Sequence, residues 1–173
     1  LNELEELPFL ATAMKYELTG PQEVKVDEKT RFCLPSKMLD ILKRYSTAEE
    51  LADSKNGLRV VVGVSLEMQP SIFPVSVFQT KIVEELDSYA ASDYELQELK
   101  NLVLGFAEEQ QVDSVNRVRI PKVIANHFKL KDTIVVTNAG DHLQLFSSDT
   151  LETKLSRLES LIHRHRSGGR VVL

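Results

Sequence analysis

The sequence predicts an α+β fold assembled from two copies of one small unit, and three observations lead there. Two ten-residue segments align without gaps 86 residues apart. Each lies among short stretches of alternating polar and apolar residues, the mark of half-buried strands. Longer stripes of apolar residues at spacings of three and four follow each copy, as amphipathic helices require.

The aligned segments are Val26-Asp27-Glu28-Lys29-Thr30-Arg31-Phe32-Cys33-Leu34-Pro35 and Val112-Asp113-Ser114-Val115-Asn116-Arg117-Val118-Arg119-Ile120-Pro121. Val, Asp, Arg and Pro are identical, and apolar character matches at Phe32/Val118 and Leu34/Ile120. In each copy an alternating lead (Glu23–Val26, or Gln111-Val112) runs into Asp, a short connection, and renewed alternation. Pro35 and Pro121 stop the strand and suit the start of a helix. Helices are expected at Ser36–Tyr45 and Lys122–Phe128. Strand pairs follow at Leu58–Val64 with Leu66–Phe73, and at Thr133–Thr137 with His142–Phe146, the second pair joined at Asn138-Ala139-Gly140-Asp141. Phe78, Ile82, Leu86 and Tyr89 mark a linking helix. Ser92-x-x-Glu95 reads as a capping box before Leu96, Leu99, Val103 and Phe106, and Asp149-x-x-Glu152 as another before Leu155, Leu158 and Ile162. Such stripes are core or subunit-contact surface.

Composition narrows the function classes. The 173 residues suffice for one full core or two small ones, and 42% hydrophobic with 27% charged is ordinary for a globular chain. Apolar runs such as Val60–Val64 are far below the ~20 residues of a membrane span. Leu1–Leu7 has three Glu and no base, unlike a secretory leader. One cysteine, Cys33, excludes an intramolecular disulfide, and with no His nearby in sequence it reads as a strand thiol. His163-Arg164-His165-Arg166 lacks the partners of a metal site and reads as part of a basic tail; His127 and His142 read as surface or packing residues. No phosphate-cradling glycine loop, nucleophile elbow or zinc-protease motif occurs, so no enzyme, cofactor, metal site or small-molecule substrate is expected.

Net charge is −5, yet its distribution is uneven. Residues 84–109 hold eight acids against Lys100, whereas 117–131 hold five bases and no acid, and 154–170 five bases against Glu159. An acidic total therefore leaves nucleic-acid binding open.

The paired units have a physical logic. Asp27 and Asp113 can accept backbone N–H bonds in the turns they open. Arg31 and Arg117, four residues on, then project from the returning strands, with a donor fork suited to phosphate or to the guanine edge. The alternative role for each Asp–Arg pair is to lock its hairpin, and both roles can coexist. Lys25 and Lys29 flank Arg31. Arg119 shares the face of Arg117, Lys122 follows, and Val118 and Ile120 turn inward.

Two Asp-x-x-x-Arg units, each followed by an apolar strand and Pro, resemble the MraZ family from about Tyr16 to Leu158. These are bacterial regulators of the division and cell-wall gene cluster. The resemblance implies tandem duplicated AbrB-like swapped-hairpin β-barrel units with short helices and longer linking and C-terminal helices. It divides the chain into an arm (1–15), a first unit (16–74), a helical linker (75–109), a second unit (110–147), a C-terminal helix (148–164) and a basic tail (165–173). It implies a sequence-specific DNA-binding transcriptional regulator, cytoplasmic and nucleoid-associated, acting as a ring-shaped homo-oligomer on promoter repeats. DNA contact falls on Lys25, Lys29, Arg31, Arg117, Arg119 and Lys122. The chain departs from the family in having Thr30 and Asn116 where glycine usually precedes the motif Arg, and Val115 where a polar residue is common. If that position needs positive φ, Asn tolerates it and a β-branched Thr costs about 1 kcal/mol or more, so either the first turn has a different shape or Thr30 is strained. A ring-forming protein-interaction module with weakened DNA binding is the alternative.

Overall fold

The structure, a computed structural model, describes residues 16–89 and 91–167. The expected arm and residues 168–173 of the expected tail lie outside the described residues. Eight strands are β1 (Gln22–Lys25), β2 (Arg31–Cys33), β3 (Arg59–Val64), β4 (Pro70–Pro74), β5 (Glu108–Gln111), β6 (Arg117–Arg119), β7 (Thr133–Asn138) and β8 (Leu143–Phe146). Helices are α1 (Ser36–Arg44), α2 (Ala48–Ala52), a continuous α3 made of Val75–Phe78, Gln79–Val83 and Glu84–Asp87, then α4 (Tyr94–Phe106), α5 (Lys122–His127) and α6 (Ser148–Ser167). The mixed class with antiparallel strands agrees with the sequence reading.

The two sequence copies exchange their opening strands. The main sheet runs β1-β7-β8-β4-β3-β5. Thus β1 of the first copy lies on β7 of the second, and β5 of the second lies on β3 of the first. A separate ribbon pairs β2 with β6, setting Arg31 opposite Arg119, Phe32 opposite Val118 and Cys33 opposite Arg117. A closed barrel is not among these pairings of the described residues.

Alternation explains what lies beneath the ribbon. Phe32 and Val118 share its inner face, and Leu34 and Ile120 continue inward just beyond the strands; all four are buried. Pro35 and Pro121, at φ −56° and −53°, end each strand and open α1 and α5. Met38, Ile41 and Leu42 of α1 and Ile124 of α5 enter the same core as the β-sheet residues Val60, Ile72, Ile134 and Leu143. Both halves of the ribbon therefore stand on one shared core.

Several local expectations change. The strand after Val64 begins at Pro70, because Ser65–Met68 closes a turn with Met68 at φ 59°. Helix α3 buries Phe78, Ile82 and Leu86, and it winds wider over Gln79–Val83, where a spacing of four outruns the 3.6-residue turn. Asp93, not Ser92, caps α4 by accepting from the Leu96 N–H at 3.1 Å. Ser147, not Asp149, caps α6 by accepting from the Thr150 N–H at 3.2 Å. A short polar side chain, one position later at α4 and two positions earlier at α6, reached the open amides. The capping box of α2, Thr47 with Glu50, escaped the sequence reading; Glu50 also accepts from the Ser76 N–H at 2.9 Å, tying α2 to α3.

Helix α6 continues beyond residue 164, so His163–Arg166 are helical and not tail. Its apolar stripe stays outside: Leu155, Leu158 and Ile162 are each about half exposed. On the stripe of α4, Val103 is buried and Phe106 is 40% exposed. No helix among the described residues is long and apolar enough to cross a membrane.

Candidate nucleic-acid interface

Each hairpin turn is built around its aspartate. Asp27 Oδ1 accepts from the Lys29 and Arg31 N–H groups, both at 2.9 Å, while Oδ2 accepts from Arg31 Nε at 2.9 Å. Asp113 repeats the pattern: Oδ1 accepts from the N–H groups of Val115 (3.0 Å) and Arg117 (2.8 Å), and Oδ2 from Arg117 Nε (2.7 Å). The backbone closes identically, with Thr30 N–H to the Asp27 carbonyl and Asn116 N–H to the Asp113 carbonyl, each 3.0 Å. The side chain thus fixes turn and guanidinium together.

These bonds also set the charges. The Arg31 N–H, foremost, holds the Asp27 carboxyl below its usual range against partial desolvation, with the Arg31 guanidinium and Lys29 N–H adding to it. Asp113 is lowered in the same way, led by the Arg117 N–H. The reciprocal bond from Asp113 raises Arg117, which stays a cation at any physiological pH. Each Asp–Arg pair bonds within its own hairpin, and the bond to Nε holds the guanidinium beside the turn.

Both turns require positive φ at the same place, 59° at Thr30 and 62° at Asn116. Asparagine tolerates this; a β-branched residue is strained. The Thr30 hydroxyl offsets part of that by donating to the Ile120 carbonyl of the second copy at 2.6 Å. The first turn thus keeps the shape of the second, with Thr30 strained.

The ribbon register gathers three of the six expected contact residues. Opposed residues, and residues two apart, share a face, so Arg31, Arg119, Cys33 and Arg117 all lie on the outer one. Their side chains are 34%, 53% and 39% exposed for Arg31, Arg119 and Arg117. Cys33 is exposed on this face as well, rather than packed in the core. Lys29 is exposed on the first turn and Lys122 at the start of α5. Lys25, also exposed, ends β1 on the main sheet rather than on the ribbon.

Two bracing residues were missed. The Gln110 side chain accepts from the Arg119 N–H and donates to the Arg119 carbonyl, acting as a strand edge for β6. Glu108 forms an ion pair with Arg119. Glu108 and Glu109 read as the end of the acidic linker, and because Glu108–Gln111 is polar throughout, no alternation in the sequence marks it as a strand. Beside them, Arg59 pairs with Glu109 across β3 and β5. His142 is packed, stacked on Phe73 at 4.9 Å and bonded to Asp141, and His127 lies edge-on to Phe128 on the surface. Among the described residues no cluster of His, Cys, Asp and Glu could hold a metal.

No family model matches the chain. Similar curated proteins bear one name, Transcriptional regulator MraZ. That of Bifidobacterium longum (strain NCC 2705) is 25% identical over 142 residues, spanning 82% of this chain and 85% of its own length. That of Hydrogenovibrio crunogenus (strain DSM 25203 / XCL-2) is 25% identical over 143 residues, with 82% and 86% covered. That of Marinomonas sp. (strain MWYL1) is 23% identical over 140 residues, with 78% and 83% covered. The match is distant, but it extends over most of both chains. The resemblance read from two Asp-x-x-x-Arg units is borne out over about four-fifths of the chain: it is similar, as a remote relative, to the MraZ transcriptional regulators.

Proposed function

We propose that this chain is a sequence-specific DNA-binding transcriptional regulator. The supporting observation is the shared outer face of the β2–β6 ribbon, which carries Arg31, Arg117 and Arg119 side by side from two copies of one motif. Lys25, Lys29 and Lys122 add positive charge around it, and Asp27 and Asp113 set the turns. The exchanged strands support reading the chain as tandem AbrB-like swapped-hairpin units, at 16–74 and 110–147, joined by the linker at 75–109. A ring-shaped homo-oligomer on promoter repeats in the nucleoid completes the proposal. One ribbon contributes few phosphate contacts, and repeating it at the spacing of the DNA sites raises affinity through local concentration. The exposed stripe of α6 and Phe106 of α4 offer apolar surface for contact between subunits.

The test is a salt series with a duplex from the region upstream of the protein's own coding sequence. Arg31→Ala and Arg117→Ala should each weaken binding and flatten the dependence of log affinity on log salt by about one per contact removed. Unchanged affinity and slope in both variants would take these arginines out of the interface.

One observation favours the second reading, a ring-forming interaction module of the same fold. Each ribbon guanidinium is already engaged by a carboxylate: Asp27, Asp113 or Glu108. Protein partners that survive nuclease treatment of a lysate, beside no shift of the duplex, would favour that module.

A further inference from the structure

The two ends of the ribbon have the same backbone and different side chains. Because β2 and β6 are antiparallel, the first turn stands at the end holding Arg31 and Arg119. The second stands at the end holding Arg117 and Cys33. Cys33 and Arg119 are equivalent positions in the two copies, so the first end has one guanidinium more. The turn tips diverge as well: Glu28-Lys29-Thr30 at the first end, Ser114-Val115-Asn116 at the second. Lys37 and Lys122, which open the following helices, do not distinguish the ends.

The second tip has groups left to offer. The Thr30 hydroxyl is spent on the Ile120 carbonyl. Among the described residues, by contrast, neither the Ser114 hydroxyl nor the side-chain amide of Asn116 makes a hydrogen bond. Val115 is 55% exposed at the apex, with its N–H held by Asp113. A lone exposed valine is unremarkable on a protein surface. A valine fixed at the apex of a rigid turn, between a free hydroxyl and a free amide and two residues from an arginine, has the chemistry of base edges. Valine suits the thymine methyl, asparagine the adenine N6/N7 pair, and serine either kind of base.

Resting on the DNA-binding reading above, we infer that the two ends divide recognition. The first turn grips phosphate through Lys29, Arg31 and Arg119. The second reads bases in the major groove, with Val115 against a thymine methyl and Asn116 on an adjacent adenine.

Fluorescence anisotropy decides this with two duplexes, the upstream region and a scrambled sequence of equal length and composition. Lys29→Ala should weaken both by the same factor and lower the salt slope by about one. Val115→Ser and Asn116→Gly should leave the scrambled duplex and its slope unchanged and weaken the upstream duplex about tenfold. Glycine suits φ 62° and serine an exposed apex, so both variants keep the turn. Replacing thymine by uracil, which lacks the methyl, should weaken the native protein and leave Val115→Ser unaffected. If the native protein prefers the upstream duplex and both variants keep that preference, the division of roles falls and DNA binding stands. If the native protein binds both duplexes alike, sequence-specific reading falls, and this inference with it.

Discussion

The first and second hairpins differ in sequence at six of ten aligned positions, yet they share every turn hydrogen bond made by the backbone and by the aspartate carboxylate. What survives is the set of residues the backbone needs: Asp to accept three N–H groups, Arg to complete the pair, Pro to end the strand. What varies is chiefly the set facing solvent, while the two buried pairs, Phe32/Val118 and Leu34/Ile120, exchange one apolar residue for another. Turn geometry and surface chemistry are thus separable here, and the second has diverged while the first has not. The shared core has the same origin. Leu34 and Ile120 are equivalent, and each follows a strand whose partner belongs to the other copy.

That sharing can be attacked most strongly where the copies cross. The Val112 N–H donates to the Leu58 carbonyl at 2.8 Å, and the Val26 N–H to the Asp132 carbonyl at 2.7 Å, one crossing for each copy. The first is entered through Gly57 at φ 110°, where an added Cβ would lie 1.9 Å from the Val112 carbonyl oxygen. Gly57→Ala should destabilise the protein by about 3 kcal/mol or more, read as a fall in urea midpoint. The second crossing uses Asp132 at φ 60°, so Asp132→Gly should stay within about 1 kcal/mol of the native protein. Equal losses would mean the crossings are not built differently.

Next come the equivalent core residues. Leu34→Ala and Ile120→Ala, 3% and 0% exposed, should each lower stability by about 2–5 kcal/mol. Because the opening strands are exchanged, either change should shift one cooperative transition. Two separated transitions by calorimetry would mean that the copies fold as independent units.

Much of this was legible in the sequence because it is local. Asp27, Arg31 and Pro35 are near neighbours, and alternation alone placed Val118 and Ile120 inward and Arg117 and Arg119 together on the other face. The glycine usual before the motif Arg raised the question of positive φ at Thr30 and Asn116, and the structure answers it with 59° and 62°. The exchange of β1 and β5, the pairing of Arg31 with Arg119, and the Gln110 brace were not legible, since they join residues whose separation in sequence carries no periodic signal. The caps of α4 and α6 were misplaced by one or two residues because Ser92, Asp93, Ser147 and Asp149 are all able caps, and only the chain's entry angle selects among them.

A smaller effect is expected from acid. Asp27 and Asp113 have folded pKa values below the usual 3.8, so their contribution is complete above that value and is lost as pH falls through the folded one. Melting temperature followed from about pH 6 to pH 2 should drop, and Asp27→Asn or Asp113→Asn should each flatten the drop. The two variants should behave alike, because the hydrogen bonds they lose are the same. A flattening confined to one would show that the turns are not energetically equivalent.

The last comparison sets strain against a single hydrogen bond. Thr30 sits at φ 59°, which disfavours a β-branched residue by about 1–2 kcal/mol, and its hydroxyl reaches the Ile120 carbonyl, a bond of about 0.5–1.5 kcal/mol. Thr30→Ala keeps the strained backbone and loses the bond, so stability should fall by about 1 kcal/mol. Thr30→Gly removes both, and the two should nearly cancel. Asn116→Gly removes a milder strain and no hydrogen bond of the amide, so it should be neutral to slightly stabilising. If Thr30→Gly proves as damaging as Thr30→Ala, the hydroxyl outweighs the strain. The first turn would then have traded conformational ease for a tether to the second copy, a tether that asparagine at 116 does not make.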